Sequence, residues 1–144
     1  MATPRSIRLS DDVLRRLGDL AARRGTSVSS TIERLLDEAL RREAHPGITF
    51  RDGASGRRAG LVDGPDVDEV VRTLRAVQAD GHEDALAEVA RTMSLGESQV
   101  RTAVAYYADH TAEVEARIAA NERAAEELEA AWRRQQEILA GPIR

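Results

Sequence analysis

The sequence predicts a mainly helical chain with short β segments. Three observations carry that expectation. Apolar residues recur every three or four positions over most of the length, a cluster of helix breakers opens at His45-Pro46-Gly47, and one short stretch near the start alternates apolar with polar. At 144 residues the chain has room for one large or two small domains. It contains no cysteine, which removes disulfides, thiol catalysis and thiolate metal sites together. No apolar run approaches membrane-spanning length and no apolar signal segment opens the chain, so a cytoplasmic location is expected.

The first element is Arg5-Ser6-Ile7-Arg8-Leu9-Ser10. Its alternation puts Ile7 and Leu9 on one face and Ser6, Arg8 and Ser10 on the other, the period of a half-buried strand. A strand this short cannot satisfy its edges alone. Two copies pairing antiparallel over helices from both chains would solve that. The paired ribbon would present a row of polar side chains in a shape that fits the DNA major groove.

Two helices follow. Ser10 is a good N-cap, Asp11 and Asp12 suit the positive end of the first helix, and Gly25 can end it in the left-handed conformation. Ser27, Ser29 and Ser30 crowd the start of the second, and Ser30-Thr31-Ile32-Glu33 reads as a capping box. A helix start lined with hydroxyls and free amides is a seat for phosphate, although capping alone also accounts for serines there. About 45 residues bury too little to fold without a partner, so an obligate dimer is expected. Arg15, Arg16, Arg23 and Arg24 read as a solvated face.

Residues 5–43 resemble a ribbon-helix-helix DNA-binding domain of the Arc, MetJ, CopG and ParD type. The matching pattern is Ile7-Arg8-Leu9-Ser10, Val13-Leu14-x-x-Leu17-x-x-Leu20-Ala21, Gly25-Thr26-Ser27-Val28-Ser29-Ser30 and Ile32-x-x-Leu35-Leu36-x-x-Ala39-Leu40. The resemblance implies an intertwined dimer with a core of Ile7, Leu9, Val13, Leu17, Val28, Ile32, Leu35 and Leu36. It implies Ser6 and Arg8 as base readers and Ser27, Ser29 and Ser30 as phosphate contacts, with double-stranded DNA, the chain's own operator, as partner. Pro4 stands where a third reader would be, which puts the weight of base reading on Arg8.

The net charge of −4 divides unevenly: residues 1–44 carry +2, residues 45–108 carry −3 and residues 109–144 carry −3. That asymmetry is the one expected when one end meets phosphate and the other a basic partner.

From residue 45 the pattern changes. Ile48-Thr49-Phe50 and Arg57-Arg58-Ala59-Gly60-Leu61-Val62 flank a glycine-containing loop and predict a hairpin or wing. Helices are expected over Asp66 to Val77, Glu83 to Thr92 and Glu97 to His110. The last two have helix-turn-helix spacing, with Ala90 at the close crossing, Val100 in the core, and Ser94 with Glu97 as a capping box. Ser98, Gln99, Arg101 and Thr102 would be the exposed positions of its second helix. Tyr106 and Tyr107 read as packing with a hydroxyl at the edge, Arg57 and Arg58 as solvated strand residues. Residues 45–113 resemble a winged-helix-like domain of unknown function found in VapB-like antitoxins, on His45-Pro46-Gly47-Ile48, Gly56-Arg57-Arg58-Ala59, Asp66-Val67-x-Glu69-Val70-Val71 and Gln99-Val100-Arg101-x-Ala103-Val104-x-Tyr106-Tyr107-Ala108. This resemblance implies a toxin–antitoxin module, often beside a PIN-like ribonuclease toxin.

Thr111 to Ala140 has no Gly or Pro and predicts one long helix. Val114, Ile118, Asn121, Ala125, Leu128, Trp132, Gln135 and Leu139 fall at alternating spacings of four and three, a heptad seam in which Asn121 and Gln135 would set register. Leu128, Trp132, Ile138 and Leu139, flanked by Arg133 and Arg134, suit helix-in-groove binding to a partner protein; packing back on the same dimer is the other reading.

The expected domains are 1–44, 45–110 and 111–144. His45, His82 and His110 lie in separate linkers or helix ends without metal-ligand spacing, His45 reading as a turn residue. No phosphate loop or nucleophile–base pair is evident, so neither an enzyme nor a metal or other cofactor is expected. Two functions stand: an antitoxin that represses its own operator and neutralises a toxin through its C-terminal region, or a stand-alone regulator whose later segments oligomerise the protein or sense a ligand.

Overall fold

A computed structural model describes residues 6–53 and 56–141; Pro4 and Arg5, and with Arg5 the first residue of the expected strand, lie outside the described residues. Among the described residues the chain forms six helices and one antiparallel hairpin. It divides into two compact units, Met1–Ala44 and His45–Arg144.

The first unit holds α1 (Asp11–Arg24) and α2 (Val28–Ala44). Ser10 Oγ accepts the Val13 amide at 3.4 Å, and Gly25 closes α1 at φ 62° with its amide on the Ala21 and Ala22 carbonyls. The left-handed turn is one a side chain resists, hence glycine. Ser27, not Ser30, caps α2: its Oγ accepts the Ser30 amide at 3.1 Å, so the expected Ser30–Glu33 box lies inside the helix. Three residues earlier is the better start because Thr31 then turns its hydroxyl inward, donating to the Ser27 carbonyl at 2.9 Å and lying 3.0 Å from Thr26 Oγ1. The α1–α2 contact is thin. Ala21 is buried in it, while Leu17, Leu20, Ile32 and Leu35 are only half-buried.

The second unit builds the larger core. β1 (Ile48–Gly53) pairs with β2 (Gly56–Leu61), placing Ile48 opposite Leu61 and Phe50 opposite Ala59 on one face. Against the hairpin lie α3 (Val67–Ala79) and α5 (Glu97–Asp109), and on those two helices pack α4 (Ala85–Met93) and the first turns of α6 (Thr111–Ala140). Leu61, Val70, Val89, Val100 and Tyr106 are almost wholly shielded from solvent. Each aliphatic side chain so buried stabilises the fold by about 1.5–3 kcal/mol.

Arg51 ties the hairpin to α3. Its guanidinium donates to the Leu61 carbonyl at 3.0 Å and the Gly64 carbonyl at 2.8 Å, and its Nε lies 3.0 Å from Asp66 Oδ1. A Cβ on Gly60 would run into that guanidinium, which is the reason for glycine there. Arg58 pairs with the other oxygen of Asp66, and Arg57 pairs with Asp52 at 3.1 Å. The two arginines are therefore pinned by carboxylates rather than freely solvated, because the hairpin register sets Arg57 opposite Asp52 and the turn after β2 brings Asp66 back to Arg58.

The α4–α5 turn also differs from the expected capping box. Ser94 is the C-cap of α4 at φ 54°, and Gly96 is the N-cap of α5, its amide donating to Gln99 Oε1 at 2.8 Å. Ser94 fills the left-handed place usually held by glycine, so it cannot also start the next helix. Ala90 and Val100 are buried at the crossing, as their spacing implied.

His45 is no plain turn residue. It is 8% exposed, its Nε2 lies 3.0 Å from Asp109 Oδ2, and its ring meets Tyr106 edge-on at 5.3 Å and His110 at 5.7 Å. Tyr106 in turn donates its hydroxyl to Glu113 at 3.0 Å and stacks on His110 at 4.4 Å. Two histidines separated by most of the second unit thus share one aromatic cluster.

The expected heptad seam of α6 is used in two ways. Val114 and Ile118 are buried in the unit's own core, and Asn121 Nδ2 donates to Asp68 Oδ2 at 2.9 Å. From Glu122 onward the helix is exposed apart from a half-buried Ala131. A coiled coil along the full seam is therefore ruled out, since α3 already occupies its first three positions.

Candidate nucleic-acid interface

In the single chain, residues 6–10 carry no strand pairing. This is consistent with a strand whose partner belongs to a second copy. Ser6 and Arg8 are exposed there and Leu9 is half-buried. Ile7 is 73% exposed, which a β-branched apolar residue beside a helix pair reaches only if its covering is missing.

The remaining expected dimer-core residues show the same deficit. Val13, Val28 and Leu36 are exposed, while Leu9, Leu17, Ile32 and Leu35 are half-buried. The structure adds Leu14 and Leu40, the latter 68% exposed, to this surface. Both were legible: Leu40 stands four residues after Leu36, one helical turn along the same stripe. A hollow of about 480 Å³ lined by Val13, Leu17, Leu20 and Leu35 opens on α1. The two helices thus leave an open apolar hollow and several exposed aliphatic side chains in the single chain.

At the α2 start the serines divide. Ser27 Oγ donates to Ser30 Oγ at 2.9 Å while accepting the Ser30 amide, so these two hydroxyls are turned toward each other. Ser29 is exposed at the same end. Arg15 and Arg16 both pair with Asp12, the arrangement of a solvated helix face.

Residues 6–43 match the family model described as ribbon-helix-helix protein, copG family. The first unit is a ribbon-helix-helix region. This match spans about a quarter of the chain. Several of the apolar side chains of this region stand uncovered in the single chain. Neither a curated protein nor a solved structure matches the chain.

The second unit presents a different surface. Of the four exposed positions expected on α5, Gln99 is spent capping Gly96 and Thr102 donates to the Ser98 carbonyl at 3.0 Å. Arg101 lies 3.8 Å from Glu97. Nothing in this arrangement gathers positive charge. On α6, Leu128, Trp132, Ile138 and Leu139 are exposed, Arg134 is exposed, and Arg133 pairs with Glu129. The candidate partner-binding residues thus share the one part of α6 that the unit's own core leaves uncovered.

An exposed network links α3, α5 and α6. Arg75 pairs with Glu115, its guanidinium donates to the Tyr107 hydroxyl at 3.0 Å, and it lies 5.8 Å from the Tyr107 ring centre. The hydrogen bond from Arg75 holds the Glu115 carboxyl below its ordinary range, and the Tyr107 hydroxyl adds to that. Among the described residues no cluster of histidine and carboxylate groups could hold a metal ion, and no helix is long and apolar enough to cross a membrane.

Proposed function

We propose that the protein is the antitoxin of a type II toxin–antitoxin module. As a dimer it would bind its own operator through the ribbon-helix-helix region and repress its own transcription. Ser6 and Arg8 would read bases from the paired strands, and Ser27, Ser29 and Ser30 with the first-turn amides of α2 would seat a phosphate. The uncovered half of α6, through Leu128, Trp132, Arg133, Arg134, Ile138 and Leu139, would dock on a toxin, of which a PIN-like ribonuclease is the kind implied by the resemblance of residues 45–113 to a domain of VapB-like antitoxins. The observation that carries the reading is the exposed apolar surface of the first unit, from Ile7 to Leu40, inside a segment of a DNA-binding family.

The alternative is a stand-alone regulator whose second unit oligomerises the protein or senses a ligand. The self-sufficient core of residues 45–121 favours a domain with a role of its own.

Fluorescence anisotropy on the DNA upstream of the gene, against scrambled DNA across a salt series, tests the DNA-binding half. Tight, sequence-dependent binding with a steep salt slope is expected; equal affinity for both DNAs would sink operator reading. Co-expression with the neighbouring reading frame tests the other half. Truncation after Glu122, which keeps Val114, Ile118 and the Asn121–Asp68 bond, should abolish capture of that product, and undiminished capture would remove the outer half of α6 from the interface.

A further inference from the structure

Two N-caps compete for the start of α2, and they differ in charge. Ser30 with Glu33 spells a capping box, in which the glutamate carboxylate would accept the Ser30 amide. A helix begun there closes its positive end with its own acid. Ser27 has Ser30 at the matching position, and the turn that follows it, Val28-Ser29-Ser30, carries no acid. The structure takes this second course, with the Ser30 amide on Ser27 Oγ at 3.1 Å. Glu33 then stands six residues beyond the cap, about 9 Å along the axis.

Thr31 decides between the two. It is 1% exposed, and its hydroxyl and its amide both donate to the Ser27 carbonyl, at 2.9 and 3.0 Å. Its Oγ1 also lies 3.0 Å from Thr26 Oγ1, and the Thr26 amide donates to the Ala21 carbonyl at 3.0 Å. The hydroxyl is thus tied both to the first carbonyl of α2 and to the turn that ends α1. A start at Ser30 would break these ties, because Thr31 would become the first helical residue, with its amide among the unbonded ones.

We infer that Thr31 is a positioning residue for DNA: its buried hydroxyl holds α2 in the acid-free register and keeps Glu33 from closing the helix end. The inference rests on the proposed seating of a DNA phosphate at this start, a turn that lies within the copG-family match. Slipping by three residues would carry the first free amides about 4.5 Å along the axis. It would also set the Glu33 carboxylate against them, where it repels a phosphate. The same serines and amides therefore serve an anion in one register and refuse it in the other.

Thr31→Val keeps the shape of the side chain and removes the hydroxyl. In the full-length chain it should let the start slip to Ser30. Nuclear magnetic resonance should then show several-fold faster amide exchange at Ile32 and loss of the helical carbon shifts of Val28 and Ser29. Affinity for scrambled DNA should fall several-fold with a shallower salt slope, as it does when a phosphate contact is lost. Thr31→Ser, which keeps the hydroxyl, should behave as the native chain. Glu33 is exposed, and Glu33→Ala alone should leave DNA binding unchanged. Added to Thr31→Val, it removes the competing box and should recover the lost affinity, a rescue that a merely weakened fold would not give. Native exchange at Ile32 in Thr31→Val overturns the inference, and so does a loss of affinity that Glu33→Ala fails to relieve. A slipped register with unchanged DNA affinity overturns it from the other side: Thr31 would still set the helix start, and the phosphate reading of this turn would be what fails.

Discussion

Asn121 donates to Asp68 at 2.9 Å, and this bond marks where α6 leaves the body of the second unit. Before it, Val114 and Ile118 are core; after it, no large apolar residue of α6 is covered. Asp68 is 4% exposed in the first turn of α3, so its carboxylate has exchanged water for Asn121 and the positive helix end. Asn121→Ala should therefore destabilise the chain by about 1–3 kcal/mol, the cost of removing a partner from a buried polar group. Urea unfolding followed by circular dichroism measures it, and an unchanged midpoint would mean that Asp68 is satisfied without Asn121.

Leu40→Glu puts a charge on the exposed stripe of α2. If that stripe is the missing half of a dimer core, two charges enter each dimer core, and sedimentation should show dissociation with DNA binding lost in parallel. A dimer unaffected by this change would place the pairing surface elsewhere.

Arg8→Ala should weaken operator binding by roughly 1–3 kcal/mol if the guanidinium reads a guanine edge. The loss should fall on the cognate sequence and spare scrambled DNA. An equal loss on both would assign Arg8 to phosphate.

The Glu115 carboxyl, held low by Arg75, makes its contribution at pH values above its unfolded-state value near 4.5 and loses it as the pH falls through the depressed folded value. Arg75→Met should raise the Glu115 titration toward the ordinary carboxylate range, read by carboxyl NMR. It should also flatten the fall in stability on acidification. Since the group is exposed, the effect on stability at neutral pH is expected to be small. A Glu115 titration unmoved by the change would leave Tyr107 as the group that sets it.

Much of this molecule was readable from local pattern. The Ser10 cap, the Gly25 turn, the apolar spacing of α1 and α2 and the whole span Thr111–Ala140 follow from forces acting within a turn or two of chain, and each stands where its residues imply. The serine-rich start of α2 stands where it was expected, but the Ser30–Glu33 box does not cap it, because both Ser27 and Ser30 can cap and the choice depends on where Thr31 finds its partners. Ser94 was misassigned for the same reason, since one residue cannot end one helix and begin the next.

The candidate DNA-facing residues could be named without coordinates because alternation alone separates Ile7 and Leu9 from Ser6 and Arg8. What tertiary structure decided lies in the second unit. Hairpin register brings Arg51 and Arg58 to Asp66, and chain closure brings His45 to Asp109 and His110. The His45 partners are far apart in sequence and the Asp66 partners are joined across a hairpin, and no periodicity encodes which of several acids an arginine will meet. The heptad seam of α6 shows the division most plainly. Its spacing was fully determined by sequence, but which half meets the chain's own core depended on where α3 lies, because a stripe of apolar side chains specifies that it must be covered and leaves open by what.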